Sequence, residues 1–234
     1  MGQASACFRR ADIDGMQQLS GLDDRAFDKA DRSSDTAFYR EPRFVTHIDD
    51  VAIGAVTQAY AEMLPSNGTV LDLMSSWVSH FPANAAYAGV VGHGMNAAEL
   101  AANPALSRWF VQDLNVAPVL PLETGSFDAV CSCVSVQYLQ RPVEVFRDIV
   151  RVLRPGGIFV VAFSNRCFPT KAVAIWRALS GADQQTLVGA YMREAGFAAV
   201  TKRDWTPPDS DPLWIVCGTT PDLNRFTKSE PVLA

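Results

Sequence analysis

The sequence predicts an α/β domain: a doubly wound sheet of seven strands, mostly parallel, with one antiparallel strand near the C-terminus and helices on both faces. Three observations carry this. Five short apolar runs recur along the middle of the chain, helical periodicity fills the stretches beside them, and two more β-rich runs follow, separated by a Pro-rich turn. The five runs are apolar almost throughout rather than alternating, as strands covered on both faces require.

The elements follow in order. Residues 1–37 mix small, polar and charged types without sustained periodicity; they read as an N-terminal extension, disordered or a mobile lid, in which Phe27 and nearby leucines can form a short covering helix. From Asp50 the apolar residues Val51, Ile53, Val56, Ala59, Tyr60 and Met63 recur at helical spacing, with Asp49 or Asp50 placed as the cap, and the helix ends near Pro65. The strands are TVLDLM at 69–74, AYAGVVG at 86–92, RWFVQ at 108–112, FDAVCSCV at 127–134 and GIFVVAF at 157–163. Between the last two, Pro142 opens a helix with a buried stripe of Val145, Phe146, Ile149, Val152 and Leu153, which Gly156 and Gly157 stop. Helical stretches near 171–179 and 183–194 precede AAVTKRDW and LWIVCGT, which can pair as a hairpin at the sheet edge. Residues 38–220 are thus read as one domain and 221–234 as a tail.

Length and composition bound the function. At 234 residues with 48% hydrophobic and 19% charged residues, the chain suits one globular domain. A formal charge of −5 lacks the basic footprint of a phosphate-backbone binder, so no nucleic-acid partner is expected. The five cysteines show no zinc spacing; Cys131, Cys133 and Cys167 read as reduced, mostly buried thiols, and no metal is expected. No apolar run spans a bilayer, no signal-peptide core is present, and the start MGQASA has Ala6 where a myristoylation pattern needs Ser or Thr. The expectation is a cytoplasmic monomer or homodimer with no membrane partner.

Ligands of an open α/β sheet lie at the carboxyl ends of its strands, where the strand order reverses. The loops there read VLDLMSSWVSH, GHGMNAAEL, VQDLN and VSVQYL. Their order resembles that of class I S-adenosylmethionine-dependent methyltransferases of the small-molecule kind. VLDLMSSWV resembles the first motif, FVQDLN ahead of PLETGSFDAV the segment near the adenine, and RVLRPGGIFVVAF the fifth-strand motif, so the resemblance runs over about 69–164. It implies a Rossmann-like fold, S-adenosyl-L-methionine as cofactor with S-adenosyl-L-homocysteine as product, and a small-molecule methyl acceptor.

The resemblance assigns Asp72 to the methionine amino group and Asp113 to the adenine amino group. Met74, Ser75, Ser76, Gly92, Asn96, Leu114 and Ser135 complete the implied cofactor contacts. Two departures stand out. Met74, Ser76 and Val78 occupy places where the family has glycines, and Gly94 stands where it has an acid for the ribose hydroxyls, with Asn96 and Glu99 close enough to substitute. A glycine-free turn must avoid positive φ or accept about 1–2 kcal/mol of strain per left-handed residue.

Methyl transfer from a sulfonium needs positioning first and a base only if a proton must leave. The candidates for that base are His80, His47 and Tyr138, with His93 near the site as a strand-end residue. FYREPRFVTHIDD brings Tyr39 and Arg43 toward the acceptor, and SNRCFPTKAVAIW brings Asn165, Arg166 and Lys171, where cations can hold a carboxylate or phosphate. The competing reading is a cofactor-free binding or regulatory domain that keeps the fold. A nicotinamide-dependent oxidoreductase is excluded by the absence of G-x-G-x-x-G and of an acid after the second strand.

Overall fold

A computed structural model describes Leu19 and residues 22–222. Most of the expected lid, the myristoylation-like start and nearly all of the tail lie outside the described residues. The elements are α1 (Asp35–Phe38), α2 (Asp50–Met63), β1 (Thr69–Asp72), β2 (Gly89–Gly94), α3 (Ala97–Ala102), β3 (Arg108–Val111), β4 (Phe127–Cys133), α4 (Pro142–Val152), β5 (Leu153–Phe163), α5 (Ala174–Ala178), α6 (Gly181–Ala195), β6 (Ala199–Asp204) and β7 (Trp214–Thr219). The seven strands lie in the order β3-β2-β1-β4-β5-β7-β6. The first five are parallel, and β7 runs antiparallel to both β5 and β6.

Caps and composition account for the helices. Asp49 caps α2 by accepting from the Ala52 N–H, Ser180 caps α6 by accepting from Asp183, and Gly196 closes α6 in the left-handed region at φ 103°. Pro142 begins α4, which lays Val145, Phe146, Ile149 and Val152 on the sheet. Phe127, Phe146, Phe159 and Phe163 are fully buried in the larger core on this face. Each contributes about 1.5–3 kcal/mol of hydrophobic stabilisation. The opposite core gathers Val56, Ala59 and Tyr60 of α2 against Val70, Cys131 and Val160. Among the described residues no helix is long and apolar enough to cross a membrane.

Four features differ from the sequence expectation. The second strand begins at Gly89 rather than 86 and runs to Gly94, because Ala88 is already bonded to the Gly68 carbonyl in the connection. The helix before β5 ends at Val152, ahead of the two glycines, and β5 starts at Leu153 through a register shift against β4. The stretch near 171–179 is helical only over 174–178, since Lys171 and Ala172 close a turn on the Phe168 carbonyl first. The β1–β2 crossover, residues 73–88, contains no helix. It is rich in Ser with Pro82 near its middle, and its serine hydroxyls bond side chains and backbone instead of leaving a helical ladder to form.

Residues 22–48 pack over the carboxyl ends of the strands. Asp24–Phe27 forms a 3-10 turn, Lys29 bridges to Val173, and Asp31 N–H bonds Thr170. The strap is held by buried charge: Lys171, with no exposed surface, reaches Asp31 and Asp35 at 3.3 Å each and the Ser33 carbonyl at 2.6 Å. Lys29 pairs with the same Asp35.

Candidate active site

The strand order reverses between β1 and β4, whose crossovers leave in opposite directions and open a crevice at their carboxyl ends. A cavity of about 140 Å³ lies there, with Asp72, Met74, Gly94, Asp113, Leu114 and Ser135 on the sheet side and Tyr39, Arg43 and His47 on the strap side.

The glycine-free turn after β1 does adopt positive φ. Met74 lies at φ 57°, and Val134, at the end of β4 across the crevice, at φ 49°. A left-handed β-branched residue is a genuine outlier that the surroundings must impose. At Met74 a polar web holds the left-handed turn. The Met74 N–H donates to His93 Nδ1 at 3.1 Å and the Ser75 N–H to the His93 carbonyl at 2.6 Å. Because Nδ1 accepts, Nε2 must carry the proton that reaches the Gln112 carbonyl at 3.0 Å. Burial pushes His93 down to about 4, so the ring is neutral at pH 7.

Asp72, 5% exposed, accepts from the hydroxyls of Ser75 (2.6 Å) and Ser79 through Oδ2. Burial raises its pKa, and those hydroxyls and the Cys131 thiol only partly oppose the shift. Asn103 clamps the same turn from the Ser76 carbonyl and Ser79 Oγ, each at 2.9 Å. Asp113 accepts the Asn115 N–H through Oδ1. Ser135 Oγ lies 2.7 Å from Ser132 Oγ.

S-adenosylmethionine can be tested against these groups in three parts. The two ends fit: among the described residues Oδ2 of Asp113 has no partner beside the buried Leu114, and Oδ1 of Asp72 meets only the Cys131 thiol, at 3.6 Å. The ribose acid does not. A Cβ on Gly94 would stand 2.5 Å from the Ser75 carbonyl oxygen, so the turn after β1 fills the place of that side chain. Neither neighbour is free to replace it. Asn96 caps α3 through Oδ1 and gives Nδ2 to the Tyr39 and Arg40 carbonyls, both at 2.9 Å. Glu99 accepts the Arg43 N–H and the Ser76 hydroxyl, each at 2.6 Å.

His47, His80 and Tyr138 all line the cavity. Burial lowers both histidines, and protonation of one opposes protonation of the other, which favours neutral imidazoles able to take a proton. Burial pushes Tyr138 up to about 12, and its hydroxyl accepts the Phe168 N–H at 2.9 Å while retaining its own proton.

Of the expected cofactor contacts, only Gly92 is absent from the lining; its Cα faces Leu106. Of the expected acceptor contacts, Tyr39 and Arg43 line the cavity and the others do not. Arg166 pairs with Asp211 at 2.6 Å beside a second hollow next to His47, and Asn165 is exposed outside it. Lys171 is the clearest correction. Its ammonium is engaged by the protein's own Asp31 and Asp35, because a fully buried cation needs its counter-charges inside the fold.

Sequence reasoning left Asp35, Phe168 and Glu99 without a firm role. Asp35 joins Lys29, Lys171 and Asn115, and Phe168 collects the rings of Phe38, Tyr39, His47 and Tyr138 within 6.5 Å. The only local signal was the Phe168 placement just after β5. Among the described residues no group of three or more His, Cys, Asp or Glu is arranged to hold a metal.

Comparison with known proteins agrees with this architecture. A family model described as a methyltransferase domain matches residues 50–161, from α2 into β5. No curated protein matches the chain. Among solved structures, the [4+2]-cyclase SpnF is similar with a TM-score of 0.56 at 19% identity, over 79% of this chain and 87% of that one. A S-adenosylmethionine-dependent methyltransferase from Mesorhizobium loti gives 0.51 at 19% identity over 70% and 97%. One from Thermotoga maritima, described as a possible histamine N-methyltransferase, gives 0.54 at 17% over 72% and 88%. At these identities the likeness is one of fold.

Proposed function

We propose that this chain, which has the class I S-adenosylmethionine-dependent methyltransferase fold, transfers the methyl group of that cofactor to a small molecule held in the same cavity. The observation that carries the reading is that Asp72, at the end of β1, and Asp113, just past the end of β3 two strands away, line one cavity at the carboxyl edge of the sheet. Asp72 would take the ammonium of the methionine portion, a charge-assisted bond that favours its ionised form, and Asp113 with Leu114 would take the adenine. When bound, the cofactor supplies a methyl carbon already activated by the sulfonium. Residues 38–220 are the catalytic unit in this reading, cytoplasmic, monomeric or homodimeric, with no nucleic-acid partner.

The chain's own part is to orient the acceptor, exclude water and receive a proton. Where the acceptor must lose a proton, the neutral imidazole of His80 or, second, His47 would take it. The strap over the cavity keeps bulk water from the reacting atoms.

A cofactor-free binding domain is the second reading, and one observation favours it: the Ser75 carbonyl fills the ribose-acid position while Asn96 and Glu99 are engaged by the strap. Calorimetric titration with S-adenosylmethionine and S-adenosylhomocysteine, on the native protein and on Asp113→Ala and Asp72→Ala, separates the two. Micromolar binding weakened in Asp113→Ala supports methyl transfer. No heat at millimolar cofactor overturns it in favour of the binding domain.

A further inference from the structure

Arg43 is the cavity's unsatisfied cation. Its Nη2 donates to the Phe38 carbonyl at 2.8 Å, but Nη1 is buried with no hydrogen-bond partner among the described residues. Among the described residues Arg43 enters none of the ion pairs, whereas the strap's buried lysines, Lys29 and Lys171, both do. Two carboxylates line the same cavity and neither forms an ion pair with the guanidinium: Glu99 receives its backbone N–H and the Ser76 hydroxyl, and Asp35 is held by Lys29, Lys171 and Asn115. Leaving a buried donor of a charged group unpaired costs more than leaving a neutral one, so the arrangement points to a partner from outside the chain.

The surroundings define that partner's shape. The guanidinium carbon lies 4.6 Å from the Phe38 ring centroid, 5.5 Å from Phe168 and 5.7 Å from Tyr39. Phe168 in turn packs edge-on against His47 at 5.4 Å and tilts toward Tyr138 at 6.1 Å. The cation is therefore fixed by stacking within a wall of flat rings, and Tyr39, His47, Tyr138 and Phe168 all face the cavity. A planar fork held in this way matches a planar, two-oxygen anion, and the ring wall matches a flat apolar body.

We propose that the cavity binds a small aromatic carboxylic acid, its carboxylate on Arg43 and its ring against Phe168 and Tyr39. That such a compound is the methyl acceptor rests on the methyl-transfer reading; that it binds does not.

The test uses the full chain without cofactor, titrated calorimetrically with benzoate, its uncharged isostere benzamide, and acetate, and repeated on Arg43→Gln and Arg43→Lys with the melting temperature of each recorded. The expected result is benzoate binding roughly tenfold or more tighter than either analogue, lost in Arg43→Gln and partly kept in Arg43→Lys. Equal affinity for benzoate and benzamide, equal affinity for acetate, no benzoate binding at millimolar concentration, or unchanged benzoate binding in a folded Arg43→Gln overturns the proposal. If Arg43→Gln does not fold, the benzoate-to-benzamide ratio on the native protein decides alone. Failure here leaves cofactor titration untouched, and failure of cofactor titration leaves this binding untouched, so the two are read separately.

Discussion

The Cα of Gly94 faces the carbonyl oxygen of Ser75 so closely that a Cβ would lie 2.5 Å from it. That contact joins the end of β2 to the turn after β1 and accounts for two oddities of the sequence together. A turn without glycine needs room, and a glycine at the end of β2 provides it.

The first expectation follows from this approach. Gly94→Ala forces the Ser75 backbone aside and costs about 1–3 kcal/mol as an overpacked site. Gly94→Asp, which supplies the acid that the family has there, lowers stability further and does not tighten cofactor binding. Chemical denaturation and calorimetry check both, and a tighter cofactor complex in Gly94→Asp would mean that the turn runs elsewhere.

Met74 at φ 57° predicts an inverted order of substitutions. Met74→Gly relieves the left-handed strain and Met74→Ala does not, so the glycine variant should be the more stable by about 1 kcal/mol, the reverse of the order in ordinary helix or strand backbone. Urea midpoints of the two variants, compared directly, decide the point.

His93 predicts a pH dependence. Burial holds it at about 4 in the folded protein, below its ordinary 6.5. Its contribution is therefore complete above pH 6.5 and is lost as pH falls from 6.5 through about 4, amounting to about 3 kcal/mol over the window. Unfolding free energies at pH 7, 5.5 and 4.5 should decline more steeply in the native protein than in His93→Gln, whose side chain does not titrate.

Lys171→Met removes the cation that fastens the strap. Asp31 and Asp35 lose a fully buried partner, though Asp35 keeps Lys29, and the loss should be about 3 kcal/mol. Hydrogen exchange should accelerate over residues 29–45 far more than over β4 and β5. Uniform acceleration across the sheet would assign Lys171 to the core rather than to the strap.

His80 predicts the activity profile. With its basicity lowered by burial, proton removal should be lost only on the acid side of neutrality, and His80→Asn should lower kcat by about 10²-fold or more for an acceptor that must lose a proton. Release of S-adenosylhomocysteine measured against pH checks it; an unchanged kcat would pass the role to His47.

The order of strands and helices was legible because each is written in contiguous residues. The apolar run 127–133 and the periodic stripe of 142–152 need no distant partner to be recognised. Asp72 and Asp113, to which the family resemblance pointed, do line the cavity at or just past the ends of their strands. The helix-free crossover was not, because it depends on the hydroxyls of Ser75 and Ser79 finding Asp72, on Ser76 finding Glu99, and on His93 holding the Met74 N–H from 19 positions away.

What the sequence by itself determined is the sheet, its switch point and the acids on its edge. The tertiary structure alone decided which polar groups near that edge remain free. Asn96 and Glu99 are turned from ribose partners into strap anchors by backbone groups 57 and 56 residues earlier, and Lys171 from a ligand's cation into an internal one by Ser33, 138 residues earlier. Arg43 alone of these is left with a buried donor unpaired. The physical reason is that strand and helix periodicity is a local property of the chain, whereas the partner of a buried charge or amide is set only when remote segments pack together and water is excluded from between them.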